Sequence, residues 1–180
     1  MIMVGEIRDS ETAEIAIRAA LTGHQVFSTL HTNDSAGAVT RLLDMGVEAF
    51  LISSSLEGVL AQRLVRRICS VCRTEWAIPT TVRDRLQALG ANGLPERVFH
   101  GTGCEECRGT GYRGRVGIFE LLPINSELRE LVLQRRSSAD LKSAARKTMV
   151  TMFQDAIEKA IQGLTTVEEV LRVVSGDATE

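Results

Sequence analysis

An α/β fold built on a parallel sheet is what this sequence predicts, and three observations carry the prediction. Through Gly46, apolar runs that read as strands alternate with one-sided helical patterns, the arrangement expected where parallel strands are joined by helical crossovers. From Pro123 onward the apolar spacing is helical. Between these regions fall all four cysteines, in two Cys-x-x-Cys pairs, which point to an inserted metal module.

Ile2, Met3 and Val4 end an apolar run that stops at Gly5-Glu6-Ile7-Arg8-Asp9, as a buried parallel strand does where it delivers an acidic residue to the sheet edge. The run starts too late to be a complete strand. Asp9 or Ser10 is positioned to cap a helix through Leu21, with Gly23 just past its end. A second strand is expected from Gln25 to Leu30, followed by His31-Thr32-Asn33-Asp34, where Asp34 caps a helix over 35–45 that Gly46 closes. Function in such sheets gathers at the carboxyl ends of the strands, where Glu6 and His31 both sit.

The stretch from Val47 to about Gly58 continues as a helix, and Arg63 to Cys69 reads as a strand entering the first cysteine pair. Thr81 caps a short helix with Val82, Leu86 and Leu89 on one face, and Arg115 to Leu122 alternates as a strand after the second pair. Ser126 opens a helix with Leu128, Leu131 and Val132 at core spacing, and Ser137 with Asp140 resembles a capping box. Thr151 with Gln154, and Thr165 with Glu168, suggest two further capping boxes, closed by Gly163 and Gly176. Val167, Val170, Leu171 and Val174 form a one-sided stripe that reads as core.

Cys69-Ser-Val-Cys72 and Cys104-Glu-Glu-Cys107 are separated by 31 residues. Two residues between thiolates let one tight turn aim both sulfurs at a common point, and two such turns complete the tetrahedral S4 shell that zinc prefers. A closed shell leaves no position for water, so the expected zinc is structural. Iron in a rubredoxin-like S4 site is the minority metal reading, and a pair of disulfides or four unrelated buried cysteines are the alternatives without metal. The absence of a leader at the N-terminus is read as favouring a reducing compartment.

The net charge is −2, and 18 of the 21 basic residues are arginines spread along the chain, the lysines being Lys142, Lys147 and Lys159. No electrostatic footprint for nucleic acid emerges, and 4% aromatic residues leave little for stacking on bases. The cluster Arg63, Arg66 and Arg67 reads as a solvated face or as having an intramolecular partner. The longest apolar-leaning stretch, Val47 to Leu60, is interrupted by Glu48, Ser53 to Ser55 and Glu57 and falls short of the ~20 residues a spanning helix needs. Any membrane contact is expected to be peripheral.

Met3-Val-Gly-Glu-Ile-Arg-Asp9, Ser28-Thr-Leu-His-Thr-Asn-Asp34, Ala61-Gln-Arg-Leu-Val-Arg-Arg67 and Thr110-Gly-Tyr-Arg-Gly-Arg-Val-Gly-Ile-Phe-Glu-Leu-Leu122 resemble segments of the type II secretion and type IV pilus assembly ATPases. The resemblance runs in order through Leu164-Thr-Thr-Val-Glu-Glu-Val-Leu171, and the cysteine pairs place it in the secretion and pilus-assembly branch, since retraction relatives generally lack them. It implies the C-terminal part of a RecA-like P-loop ATPase domain with an inserted tetracysteine zinc subdomain and a C-terminal helical subdomain. Residues 1–68 would be partial ATPase core, 69–107 the zinc subdomain with Cys69, Cys72, Cys104 and Cys107 as ligands, and 108–180 a return strand and the helical subdomain. Met3 to Asp9 would be the Walker B segment, with Gly5, Glu6, Arg8 and Asp9 lining the nucleotide site. Glu6 would activate or position the attacking water near magnesium-bound ATP, and His31, in the family's histidine box, would contact or report on the γ-phosphate side.

The chain departs from the family pattern in lacking the Walker A strand with its lysine, the upstream acidic box and the N-terminal domain. A P-loop needs Gly-x-x-x-x-Gly-Lys-Ser/Thr so that backbone N–H groups cradle the phosphates, and none of the three lysines follows a glycine. The chain therefore resembles the C-terminal part of such an ATPase, beginning within the Walker B strand, from a truncated reading frame, an internal start or a deliberate cut. Alone it is expected to be inactive. In the complete protein the resemblance implies a homo-hexameric ring working in the cytoplasm, peripheral to the inner membrane, against a membrane platform protein. The alternative is a non-catalytic zinc module that binds a protein partner. Cys104-Glu-Glu-Cys-Arg-Gly-Thr-Gly111 matches the DnaJ-type Cys-x-x-Cys-x-Gly-x-Gly repeat, but Cys69-Ser-Val-Cys-Arg-Thr-Glu-Trp76 lacks its glycines.

Overall fold

The computed structural model describes residues 1–175. In chain order the elements are β1 (Ile2–Met3), α1 (Ser10–Leu21), β2 (Val26–Phe27), α2 (Ser35–Asp44), α3 (Ala49–Ser55) and β3 (Gly58–Ile68). They continue with β4 (Arg73–Ala77), α4 (Thr80–Ala88), β5 (Arg97–Gly101), a 3-10 turn at Glu105–Cys107 and β6 (Tyr112–Pro123). The remaining helices are α5 (Ser126–Leu133), α6 (Ser138–Ala145), α7 (Met152–Ile161) and α8 (Val167–Ser175).

Two compact units divide the chain: Met1–Ala61 with Glu120–Val150, and Gln62–Phe119 with Thr151–Glu180. β3 and β6 pair in one two-stranded sheet, and each contributes residues to both units.

In the first unit β1 and β2 pair in parallel, with Ile2 opposite Val26 and Met3 opposite Phe27. The α/β expectation is met here. Asp9 takes extended backbone (φ −140°) and its carboxylate accepts the Thr12 amide at 2.8 Å, which starts α1; Gly23, at φ +94°, leaves it. Asp34 does the same for α2, accepting from the Gly37 amide at 2.7 Å, and Gly46 closes that helix at φ +88°. Ala13, Ile17, Val39, Leu42, Ile52, Leu122, Leu128, Val132 and Leu141 make up most of this unit's core.

Several local expectations are corrected. The second strand is short, because only Val26 and Phe27 hold ladder geometry. The helix after Val47 covers only Ala49–Ser55, and the next strand starts at Gly58, five residues before Arg63. Helix α4 follows Pro79, not Thr81; α5 opens at Ser126 as expected, with Asn125 before it accepting the Leu128 amide at 2.9 Å. The capping boxes at Ser137 with Asp140 and at Thr151 with Gln154 form as expected.

In the second unit β4 and β5 pair antiparallel from Arg73 opposite Gly101 to Ala77 opposite Arg97, a pairing the sequence did not suggest. Val65, Leu86, Val98, Ile118, Ala156, Val167 and Val170 form its core. The start of α8 lies one residue later than expected: the Glu169 amide donates to Thr166 Oγ1, while Thr165 Oγ1 donates to the Arg66 carbonyl. Gly176 lies outside the described residues, as does the side chain of Val174.

Glu169 is 1% exposed and receives the Arg66 amide at 2.9 Å, the Arg66 guanidinium at 2.7 Å and the Arg172 guanidinium at 2.8 Å. Arg66 also lies over the Tyr112 ring, 4.1 Å from its centroid. Burial pushes the Glu169 carboxyl up, but the bonds from Arg172 and Arg66 outweigh it and hold the group down at about 2, against 4.5 for an ordinary glutamate. A folded-state value below the unfolded one contributes stability in full above the unfolded value and loses it as pH falls. The acid-labile window for this contact is therefore about 4.5 down to about 2. Glu169→Gln is expected to cost on the order of 3 kcal/mol at neutral pH, because two guanidinium groups lose their anion. Urea unfolding at pH 7 and pH 3 checks this: the gap between wild type and variant should narrow at the lower pH.

Candidate functional site

The parallel pairing extends past the two short strands. The Ile2 amide donates to Gln25 O at 2.8 Å, Val4 to Phe27 O at 2.8 Å and Ile7 to Thr29 O at 2.9 Å, while Thr29 Oγ1 donates to Gly5 O at 2.7 Å. Two chain segments in register therefore end side by side, and each delivers one polar residue. Glu6 Oε2 lies 3.2 Å from His31 Nε2, and Glu6 Oε1 lies 2.6 Å from Arg8 Nη2.

Of the residues expected to line a nucleotide site, Glu6, Arg8 and His31 form one hydrogen-bonded group. The Glu6 side chain is 33% exposed and that of His31 89%. The Arg8 hydrogen bond is the main cause that holds the Glu6 carboxyl below the usual carboxylate range, assisted by His31. An ionised, weakly basic carboxylate is suited to accepting a hydrogen bond from water and orienting it. Asp9 is turned toward α1, where the Thr12 amide holds its carboxyl below its ordinary value. Gly5 contributes its carbonyl to the strand pairing and has open space where a Cβ would stand.

The cysteine module lies in the second unit. The Sγ atoms of Cys69, Cys72, Cys104 and Cys107 lie within 4.8 Å of one another, with Cys69 to Cys104 at 3.8 Å, Cys72 to Cys107 at 3.8 Å and Cys104 to Cys107 at 3.7 Å. A tetrahedral ion with metal–sulfur bonds of about 2.3 Å spaces its ligands about 3.8 Å apart. The donor set therefore fits a four-thiolate metal shell, and all four cysteines are free of disulfides.

The backbone builds this cluster. Arg108 at φ +53° ends the 3-10 turn, the Cys69 amide donates to Gly111 O at 2.9 Å and Thr102 to Cys72 O at 3.1 Å. A Cβ on Gly101 would collide with the Gly111 backbone, and one on Gly103 would meet Gly109 O at 2.7 Å, so these positions require glycine. Amides of Cys104 and Gly111 reach Cys107 Sγ at 3.1 and 3.2 Å. Burial raises the Cys107 thiol, and those donors outweigh it and bring the group down to about 6, favouring the thiolate that a metal takes.

Sequence reasoning missed the residues that hold the turn after His31. Glu120 and Lys142 bond to Ser35 and Asp34 across 85 and 108 residues of sequence, a separation that leaves no local signal.

The fold is that of the RecA-like ATPases, and it carries a tetracysteine cluster. A family model described as "Type II/IV secretion system protein" matches residues 1–172, and the chain belongs to that family. It is 54% identical over 172 residues to the type IV pilus assembly ATPase PilB of Thermus thermophilus, covering 95% of this chain and 19% of that protein. It is 49% identical over 178 residues to type II secretion system protein E of Aeromonas hydrophila, covering 98% and 35%. Among solved structures, the pilus retraction motor PilT with bound ADP aligns with a TM-score of 0.63 at 28% identity, over 96% of this chain and 39% of that one. The Legionella pneumophila ATPase DotB aligns at 0.62 and 25%, over 97% and 38%. The chain thus spans about a fifth to about a third of the length of these curated relatives.

Proposed function

We propose that this chain is the portion of an ATP-driven motor for type II secretion or type IV pilus assembly that supplies a water-orienting carboxylate, a histidine beside it and a structural zinc module. The observation that carries the proposal is the Glu6–His31 contact of 3.2 Å at neighbouring ends of parallel segments, the place where α/β sheets bind ligands. Relatives named as ATPases, and a similar structure that holds ADP, support the nucleotide as ligand.

Bound with magnesium, ATP supplies a γ-phosphoryl group open to attack by water. Glu6 Oε accepts a hydrogen bond from that water and aims its lone pair, Arg8 keeps the carboxylate ionised, and His31 Nε2 fixes its second oxygen. The phosphate cradle comes from elsewhere, since no Gly-x-x-x-x-Gly-Lys-Ser/Thr occurs here. Met3 and Phe27, 81% and 48% exposed on β1 and β2, are side chains that a larger sheet covers. In the complete protein we assign 1–68 to the ATPase core, 69–107 to the zinc subdomain and 108–180 to the return strand and helical subdomain. We further assign a homo-hexamer at the cytoplasmic face of the inner membrane, acting on a membrane platform protein. Among the described residues no helix is long and apolar enough to cross a membrane.

The chain alone is expected to release no phosphate from magnesium-ATP. A phosphate-release assay checks this; turnover that Glu6→Gln abolishes would mean that the chain builds its own phosphate site.

A further inference from the structure

The turn that carries His31 is held from two directions. Thr32 Oγ1 donates to Asp34 O at 3.0 Å, and Asp34 Oδ1 accepts the Gly37 amide at 2.7 Å. The other oxygen of Asp34 receives Lys142 Nζ from α6 at 2.7 Å. One residue on, Ser35 directs its amide, at 3.2 Å, and its hydroxyl to Glu120 Oε1 from β6. Ser35 is fully buried and Glu120 is 6% exposed.

Helix α2 has its N-cap without this arrangement, since Asp34 already satisfies Gly37. Burying the Glu120 carboxyl to meet Ser35 carries a desolvation cost that an apolar residue would avoid. What both contacts fix is the backbone of residues 31–35. His31 needs that support: its side chain is 89% exposed, so its ring has little packing, and its place beside Glu6 is set by the strand pairing that ends at Thr29 on one side and by this turn on the other.

We propose that Glu120 and Lys142 are positioning residues, which clamp the 31–35 turn so that the His31 imidazole stays within hydrogen-bond reach of Glu6. The clamp rests on the reading of Glu6 and His31 as the reacting end of the nucleotide site. It makes β6 and α6, late in the chain, part of the machinery that aligns an early residue. Lys142 is the adjustable half, because its side chain is 45% exposed and that of Asp34 29%, so the bond breaks without opening the core.

The test compares Lys142→Met with Lys142→Arg. In the chain itself, NMR of the His31 ring and hydrogen exchange at the Ser35 and Gly37 amides report the turn. Lys142→Met is expected to average the ring signal toward that of a free histidine and speed exchange at both amides by about 10-fold or more, while Lys142→Arg restores both. Kinetics in the chain joined to the upstream segment of a family member are expected to show kcat down ~10-fold at unchanged nucleotide affinity, since small misplacements are costly to rate. Glu120→Gln, which keeps an acceptor for Ser35, should lose less than Glu120→Ala. Unchanged ring signals and exchange in Lys142→Met overturn the clamp, whatever the kinetics show. Altered signals with unchanged turnover also overturn it, provided Glu6→Gln abolishes turnover in the same protein. If Glu6→Gln is fully active, the nucleotide-site reading fails, and the clamp as stated fails with it.

Discussion

The purified chain is expected to carry one tightly held zinc, and stripping it is expected to unfold the module that the four cysteines close. Zinc contributes about 10–16 kcal/mol of apparent binding free energy in small thiolate and imidazole sites at neutral pH, and where the site is absent from the unfolded chain this is folding free energy. The backbone from Cys104 to Gly111 is a 3-10 turn of three residues, an arginine at φ +53° and glycines, held by short local hydrogen bonds such as the Gly109 amide to Cys104 O at 2.9 Å. Cys72→Ser with Cys104→Ser should lose both the metal and the cooperative unfolding of this unit, as seen by metal analysis and thermal melting. A metal-free double variant that melts as sharply and as late as wild type would show that the cysteines are only buried thiols.

Glu6→Gln in the motor restored by joining this chain to an upstream family segment is expected to lower turnover by about 10²–10⁴-fold while ATP still binds. Glutamine has the same reach and keeps one carbonyl acceptor, so the water site survives in outline. It loses the negative charge that Arg8 stabilises and that strengthens the hydrogen bond to water. If Glu6 were only the partner of Arg8 on the surface, the substitution would remove an exposed ion pair, and such pairs contribute little to stability and nothing to rate. Stability is therefore a poor discriminator and rate a good one. His31→Ala serves as the companion, since it leaves the carboxylate ionised through Arg8 but frees its second oxygen.

Where chemistry is local, the sequence was sufficient. Asp9 with Gly23 and Asp34 with Gly46 bracket two helices because a carboxylate three residues before an amide, and a glycine free to take positive φ, act within a single turn. The cysteine cluster was legible for the same reason. The caps expected at Thr81 and Thr165 lie two residues and one residue from Pro79 and Thr166, which precede the helices. At the start of α8, Thr165 is drawn off to the Arg66 carbonyl, leaving Thr166 to meet the helix. The β4–β5 pairing was hidden because its strands flank a helix and their register is set by residues some 25 positions apart. Glu6 and His31 could be placed only at strand ends; their 3.2 Å contact, and the hold of Glu120 and Lys142 on the turn beside it, are products of the fold.

That Glu6 aligns the attacking water is tested most directly by single-turnover hydrolysis of pre-bound ATP in the restored motor, with nucleotide affinity measured separately on the same samples. The expected result is a Glu6→Gln protein that binds ATP within about twofold of wild type and cleaves it about 10²-fold more slowly or worse. Cleavage at the wild-type rate with equal affinity would contradict the account and remove the strand-end pair from the chemistry.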